Sequence, residues 1–162
     1  MNNYKWIAIT VNLVIVLGLF NYSILKKEDL LDEGQLILLE LAPVDPRSLI
    51  QGDYMRLSYA VSTRVPDSIP KQGYCVVELD ENGVGQRLRF QALSTPLNKG
   101  EYLIKYQDQG GWQGIKVGAE SFFFQEGEAQ KYEEAEYGGL KVDREGNSLL
   151  VGLYNKEREK ID

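Results

Sequence analysis

An eight-residue stretch, GDYMRLSY, places charged and aromatic side chains side by side at positions 52–59. Together with the preceding PVDPRSLIQ it supplies five candidate binding residues: Asp45, Arg47, Asp53, Tyr54 and Arg56. In one interpretation they form a local structural network, in which Asp45 caps a helical turn and Asp53 pairs with Arg47 or Arg56. In the other they form an exposed surface that docks a partner, because Tyr and Arg are enriched at binding hot spots.

The composition excludes the commonest catalytic sites. The 162 residues include no histidine, which removes Ser-His-Asp and Cys-His catalysis, histidine general bases and most transition-metal sites. Cys75 is the only cysteine, so the chain has no internal disulfide and no Cys-based metal spacing. We therefore expect neither a cofactor nor a metal ion.

Two catalytic alternatives remain open. Ser48 beside the motif, with Lys105 or Lys116 from later strands, would make a Ser-Lys hydrolase. A carboxylate pair of the glycosidase kind would have to come from the acidic run, which contains Glu126, Glu128, Glu133 and Glu136. Lone serines and acidic runs are more often surface features than sites, so the sequence favours a non-enzymatic protein.

An acidic stretch near the C-terminus resembles a calcium loop only in part. Asp143, Glu145 and Asn147 alternate as in an EF-hand. Ser148 and Tyr154 stand where that loop needs glycine and glutamate, so we predict a hairpin turn.

Residues 6–25 predict a membrane anchor. They read WIAITVNLVIVLGLFNYSIL, which is 20 uncharged residues, the length of a helix that crosses a bilayer. A cleaved signal peptide is the alternative, but the apolar run is long and NYS is a poor cleavage site. The 137 residues that follow, 26–162, form a long tail, which usually translocates whatever the nearby charge. We expect the N-terminus inside and the tail outside.

The tail is acidic. It holds all 24 acidic residues and 17 of the 18 basic ones, because only Lys5 precedes it, so its net charge is 17 − 24 = −7. A domain of that charge without a basic cluster is a poor nucleic-acid binder, and we expect no nucleic-acid partner.

The hydrophobic pattern of the tail predicts a mainly β domain. About eight or nine short strands, two short helices at 46–51 and 126–136, and hairpin turns at 80–83 and 143–147 fit an antiparallel sandwich or partly open barrel. The predicted organisation is an anchor at 1–25, a linker at 26–33, a β domain at 34–155 and a charged C-terminal tail at 156–162. The strands are predicted at 35–41, 54–61, 73–79, 86–91, 101–106, 112–117, 121–125, 140–142 and 148–153.

Inside the motif, four residues are predicted to have structural roles. Pro46 suits the first position of a helical turn, and Gly52 suits a left-handed residue where that turn changes into a strand. Leu57 and Tyr59 are two apart, and with Met55 and Val61 they share one face of the predicted strand.

The octapeptide fits the pattern G-D-Y-x-x-L-x-Y, and the chain resembles the GDYXXLXY family. PVDPRSL, FFFQEGEAQKYEEAEYGGLKVD and NSLLVGL extend the resemblance over residues 36–153. The resemblance implies a small bacterial protein with one N-terminal membrane segment, encoded near polytopic membrane proteins. A weaker resemblance, to the S-M-x-P-T-L-x-x-G-D motif of signal peptidases, covers only Pro46 and Gly52-Asp53 and lacks the serine nucleophile.

Together these observations predict a single-pass protein of the bacterial inner membrane with an extracytoplasmic β domain. The expected role is a non-enzymatic accessory of an envelope complex, with a polytopic membrane protein as partner and the lipid bilayer around the helix. The alternatives are a membrane-anchored hydrolase of Ser-Lys or carboxylate type, or a binder of a small envelope ligand in a pocket lined by Tyr and Trp.

Overall fold

The computed structural model describes residues 3–42, 54–66, 68–110 and 114–161. Within these ranges one long helix, α1 (Asn3–Glu33), precedes nine strands. The strands form three antiparallel sheets, ordered β1-β8-β9, β2-β7 and β4-β3-β5-β6, which confirms the predicted mainly β class. The strands are β1 (Gln35–Glu40), β2 (Tyr54–Arg56), β3 (Gln72–Leu79), β4 (Gly85–Gln91), β5 (Glu101–Asp108), β6 (Ile115–Val117), β7 (Ser121–Phe123), β8 (Tyr137–Val142) and β9 (Ser148–Tyr154).

The helix α1 is long and apolar enough to cross a membrane. Its apolar side chains between positions 6 and 25 are exposed on all sides, so the described part of the domain does not cover them. The predicted linker, 26–33, is helical and forms the last turns of α1. The helix therefore continues directly into the β domain.

The end of α1 packs against the β8–β9 hairpin. Leu30 is buried, and the backbone N–H of Gly34 donates to the carbonyl of Leu30. A Cβ on Gly34 would lie 2.3 Å from that carbonyl oxygen, so only glycine fits the turn from helix into β1. Lys141 Nζ donates to the carbonyl of Gly34 at 2.9 Å and satisfies an acceptor at the helix end.

One hydrophobic core joins the sheets. Alternate residues of β1, Ile37 and Leu39, point into it, and Leu140 of β8 is fully buried beside them. The four-stranded sheet contributes Val77 and Ile104 from its two central strands. In these two strands consecutive residues are buried, Cys75 to Val77 in β3 and Leu103 to Ile104 in β5, so side chains on both faces of the sheet are covered.

The motif strand is shorter than predicted. The pattern predicts a strand over 54–61, but β2 ends at Arg56 and a 3₁₀ turn forms at Ala60–Ser62. The hydroxyls of Ser62 and Thr63 donate to the carbonyls of Tyr59 and Ala60, and such local bonds compete with a sheet ladder.

Two further segments differ from the prediction. The polar helix predicted over 126–136 is shorter than expected: it is a four-residue 3₁₀ turn at Ala129–Tyr132. A short acidic segment gains too little from its own hydrogen bonds to propagate an α-helix. The C-terminal segment, predicted as a charged tail, folds back on β9, where the N–H of Ile161 donates to the carbonyl of Leu153.

The two predicted hairpin turns are confirmed. Asp80 Oδ1 accepts from the N–H groups of Asn82 and Val84. Asp143 Oδ1 accepts in the same way from the N–H groups of Glu145 and Asn147. An aspartate at the first turn position therefore organises both hairpins. The helical turn predicted at 46–51 lies outside the described residues.

Candidate functional site

The motif strand β2 pairs with β7 as a two-stranded ribbon. Tyr54 lies opposite Phe123, Met55 opposite Phe122, and Arg56 opposite Ser121. Residues directly opposite in an antiparallel pair project to the same face. The ribbon therefore has an inner face with Met55 and Phe122, and an outer face with Tyr54, Arg56 and Phe123.

The inner face joins the core and continues beyond the strand. Met55, Leu57, Tyr59 and Val61 are all buried, which confirms the predicted alternation even where the chain has left the sheet. Phe122 and Phe124 both pack on the ring of Tyr132, with centroids 5.0 and 5.4 Å apart respectively. Leu57 and Tyr59, for which the sequence predicts structural roles, are 8% and 2% exposed.

Two contacts fix the side chain of Tyr59, the last tyrosine of the motif. The Tyr59 hydroxyl donates to the carbonyl of Ala119 at 3.0 Å. Its ring lies directly on the backbone of β8, where a Cβ on Gly138 would come within 2.8 Å of Cε1. Burial raises the pKa of Tyr59 far above its ordinary value, so the hydroxyl remains protonated and a donor.

The outer face presents aromatic and cationic groups. Phe123 is 74% exposed, and the half-buried ring of Tyr54 packs against it with centroids 5.8 Å apart. Arg56 is exposed next to them on the same face. We call Tyr54, Arg56 and Phe123 the aromatic–arginine surface. These residue types supply contact area and hydrogen bonds at protein interfaces.

The structure covers only part of the predicted site. Tyr54 and Arg56 are brought together on the aromatic–arginine surface. Five further predicted residues, three for binding and two for structure, precede β2 and lie outside the described residues: Asp45, Pro46, Arg47, Gly52 and Asp53. The predicted cap and the predicted pairing of Asp53 with an arginine therefore remain predictions.

Phe123 was not among the predicted site residues. The three phenylalanines of SFFFQ all fall in the strand predicted at 121–125, and that prediction gives them no separate faces. A strand alternates its faces, so the middle one of three consecutive residues must point away from the other two. Phe122 and Phe124 contact Tyr132, and Phe123 is turned to solvent.

Three of the side chains considered for catalysis, those of Lys105, Lys116 and Glu128, are engaged in other contacts. Lys105 Nζ donates to Asn147 Oδ1 at 2.7 Å, and Lys116 forms an ion pair with Glu120. Glu128 pairs with Lys131, and the described part of the chain has no group of three or more acidic or cysteine side chains placed to hold a metal ion. Ser48 lies outside the described residues.

The single cysteine is expected to be unreactive in the folded protein. Cys75 is fully buried in β3, and burial raises its pKa to about 12, although nearby Arg87 partly opposes that rise. A thiol with such a pKa is protonated at neutral pH and is a poor nucleophile.

The fold and this surface define a β-rich domain carried on one long apolar helix. The chain belongs to the GDYXXLXY family, because the family model described as GDYXXLXY protein matches residues 16–153. The match begins inside α1 at residue 16, so it includes the second half of the uncharged stretch at 6–25. Comparisons with curated proteins and with solved structures gave no match.

Proposed function

We propose that this protein is a single-pass, membrane-anchored domain on the extracytoplasmic side of the bacterial inner membrane. In this proposal it is a non-enzymatic accessory that docks a polytopic membrane protein of an envelope complex through the aromatic–arginine surface. The observation that carries the proposal is a helix with exposed apolar side chains on every side, joined to a domain that exposes Phe123. Hydrocarbon is the environment that such a helix requires.

The surface supports a docking role for a physical reason. An exposed phenylalanine loses water-accessible apolar area when a partner covers it, which stabilises a complex by roughly 25 cal/mol per Å². Arg56 is exposed and adds donors at the edge of this area, so its contacts would give the complex orientation as well as affinity.

The side of the membrane is tested by fusing alkaline phosphatase after Asp162 in the full-length chain. An extracytoplasmic tail makes the phosphatase active, because that enzyme forms its disulfides only in an oxidising compartment. An inactive phosphatase together with an active cytoplasmic reporter at the same site would reverse the orientation.

The docking surface is tested by placing a photo-crosslinking amino acid at position 123 of the full-length protein in its native membranes. Position 93 is the matched control, because Leu93 is 70% exposed and lies outside the ribbon. We expect a crosslink to one polytopic membrane protein from position 123 only. Recovery of that protein should fall at least about fivefold in Phe123→Ser and remain unchanged in Leu93→Ser. Equal crosslinking from both positions would overturn the role of this surface.

A further inference from the structure

A polar groove of about 700 Å³ lies between the four-stranded sheet and the start of β9. Two tyrosines, Tyr74 and Tyr106, form part of its wall. Its other side chains are mostly cationic, amide or hydroxyl groups, and none of its described lining residues is an aspartate or glutamate. The polar side chains that line the groove are those of Gln72, Lys105, Gln107, Lys116, Asn147 and Ser148.

The charge of this groove differs from that of the domain. The tail carries a net charge of 17 − 24 = −7, yet two ammonium groups line the groove. Lys105 Nζ donates to a neutral amide oxygen, Asn147 Oδ1, and forms no ion pair among the described residues. Lys116 pairs with Glu120, whose carboxylate is not part of the lining. Among the described residues, Lys105 therefore has no direct carboxylate partner at the groove.

The carboxylates of the adjoining turn are already engaged. Asn147 Nδ2 donates to Asp143 Oδ2 at 2.6 Å and to Glu145 Oε2 at 3.3 Å. Asn147 thus accepts from the lysine through its oxygen and donates to the acids through its nitrogen. This amide holds the ammonium at the groove and separates it from direct contact with the acids.

The groove lies close to the part of α1 that follows its apolar stretch. Lys26 is the first charged residue after the apolar stretch, and its Nζ lies 3.3 Å from Glu145 Oε2. Asn147 and Ser148 on the groove wall follow that glutamate within three residues. If α1 spans the bilayer, Lys26 lies at the level of the head groups, and the groove opens close to the membrane surface.

We infer that this groove binds a phosphate group of a polar head, with Lys105 as its principal charge contact and the amide and hydroxyl side chains as further donors. A phosphate oxygen matches a lysine ammonium as a point charge, and neighbouring donors add charge-assisted hydrogen bonds. The ligand is either the head group of a membrane lipid or a soluble phosphate ester. Its place beside the bilayer rests on the proposed membrane anchoring, whereas the groove itself does not.

The test uses the full-length protein in a phosphate-free maltoside detergent, with calorimetric titration of glycerol phosphate and, separately, of short-chain phosphatidylglycerol. We expect saturable binding that Lys105→Gln weakens by about tenfold or more, because the substitution removes the charge that a phosphate oxygen would contact. Lys105→Arg should keep most of the affinity. Lys131→Gln is the control, since it removes the same charge from a lysine paired with Glu128 away from the groove.

The two ligands distinguish the sources of the phosphate. Tighter binding of the lipid assigns a membrane head group, and tighter binding of glycerol phosphate assigns a soluble ester. Absence of saturable binding to both, or equal losses in Lys105→Gln and Lys131→Gln, overturns the inference. Lys116→Gln serves as a second groove variant if Lys105→Gln does not melt like the wild type. A protein that crosslinks its partner from position 123 but binds neither phosphate ligand overturns this inference alone and leaves the proposed function standing.

Discussion

At the scale of single residues, the two tyrosines of the motif face opposite sides of the chain. Tyr59 is buried, donates to Ala119 and rests on Gly138, whereas Tyr54 packs on an exposed phenylalanine. Gly138 of β8 leaves space for the ring of Tyr59, which lies about eighty residues earlier in the chain. The second half of GDYMRLSY fastens the strand to the core, and its first tyrosine contributes to the outer surface.

This division predicts a difference in stability between neighbouring residues. Leu57→Ala and Tyr59→Ala should each lower the free energy of unfolding by about 2–4 kcal/mol, because truncating a buried side chain leaves a cavity. Arg56→Ala should change it by less than about 0.5 kcal/mol, because that side chain is exposed. Urea unfolding of the full-length protein in mild detergent, followed by fluorescence, measures all three. A larger loss in Arg56→Ala than in Leu57→Ala would contradict the burial pattern of the motif.

The buried thiol gives a second prediction at this scale. Burial raises the pKa of Cys75 and keeps the reagent away from its sulfur, so the thiol should react with iodoacetamide at pH 8 at least about a hundred times more slowly in the folded protein than in denaturant. Mass spectrometry of timed samples gives the rate. Rapid labelling of the folded protein would show that β3 opens readily or is less buried than described.

At the scale of elements, the connection from β4 to β5 is held by one charged network. Arg89 forms two hydrogen bonds with Glu101, at 2.8 and 2.7 Å, and Asn98 adds two more. The Glu101 side chain is only 8% exposed. Arg89 also donates to the carbonyl of Pro96, and Gln91 donates to that of Leu93, so the connecting segment is held against the sheet. Leu93 and Leu97 on this segment are exposed.

The network makes stability depend on pH with a definite sign. Hydrogen bonds from Arg89 and Asn98 lower the pKa of Glu101 to about 2, below the value of about 4.3 for an unfolded glutamate. Its contribution to stability is therefore full above about pH 4.3 and is lost as the pH falls towards 2. Between pH 6 and pH 3 the wild type should lose more unfolding free energy than Glu101→Gln, measured by urea titration. Equal losses would show that the carboxylate is not stabilised in the folded state.

The elements that sequence predicted are those specified by local chemistry. The turns at Asp80 and Asp143 were predictable because an aspartate bonds to backbone groups two and four residues ahead. The pairing of β1 with β8 joins segments about one hundred residues apart, and no local pattern encodes it. The early end of β2 was missed because the alternating burial of Leu57, Tyr59 and Val61 continues without a sheet ladder.

The candidate site, like the fold, could be predicted from the sequence only where local patterns specify it. Tyr54 and Arg56 were predictable as outward-facing because their parity is opposite to that of Leu57 and Tyr59. Phe123 joins them only through the pairing of β2 with β7, which is a long-range contact. The polar groove combines Lys105 with Asn147 across two sheets, so its existence also depends on the tertiary arrangement.

At the scale of the whole molecule, α1 and the domain are joined without a flexible segment. The helix extends through Glu33, Leu30 is buried against the domain, and Gly34 leads directly into β1. The ion pair between Lys26 and Glu145 is exposed and contributes little energy, but it shows which turn lies beside the helix. A helix that spans a bilayer would therefore fix the face of the domain that is turned towards the lipid.

This coupling predicts that the turn at 143–147 remains close to the head groups. A spin label on Arg144→Cys in nanodiscs should be relaxed strongly by a nickel chelate attached to lipid head groups. A label on Glu136→Cys should be relaxed much less, because it lies at the other end of β8, roughly 20 Å along the strand. Both positions are exposed, and the buried Cys75 should not compete for the label.

The control for rigidity is a short Gly/Ser insertion after Glu33, which replaces a packed junction with a flexible connection. In that variant the domain samples many orientations, so the difference in relaxation between positions 144 and 136 should shrink while the fold is kept. Equal relaxation at the two positions in the chain without the insertion would show that the domain already moves freely on its anchor. A persistent difference between the two positions supports a fixed membrane-facing side of the domain, which is the condition under which the polar groove would lie next to lipid head groups.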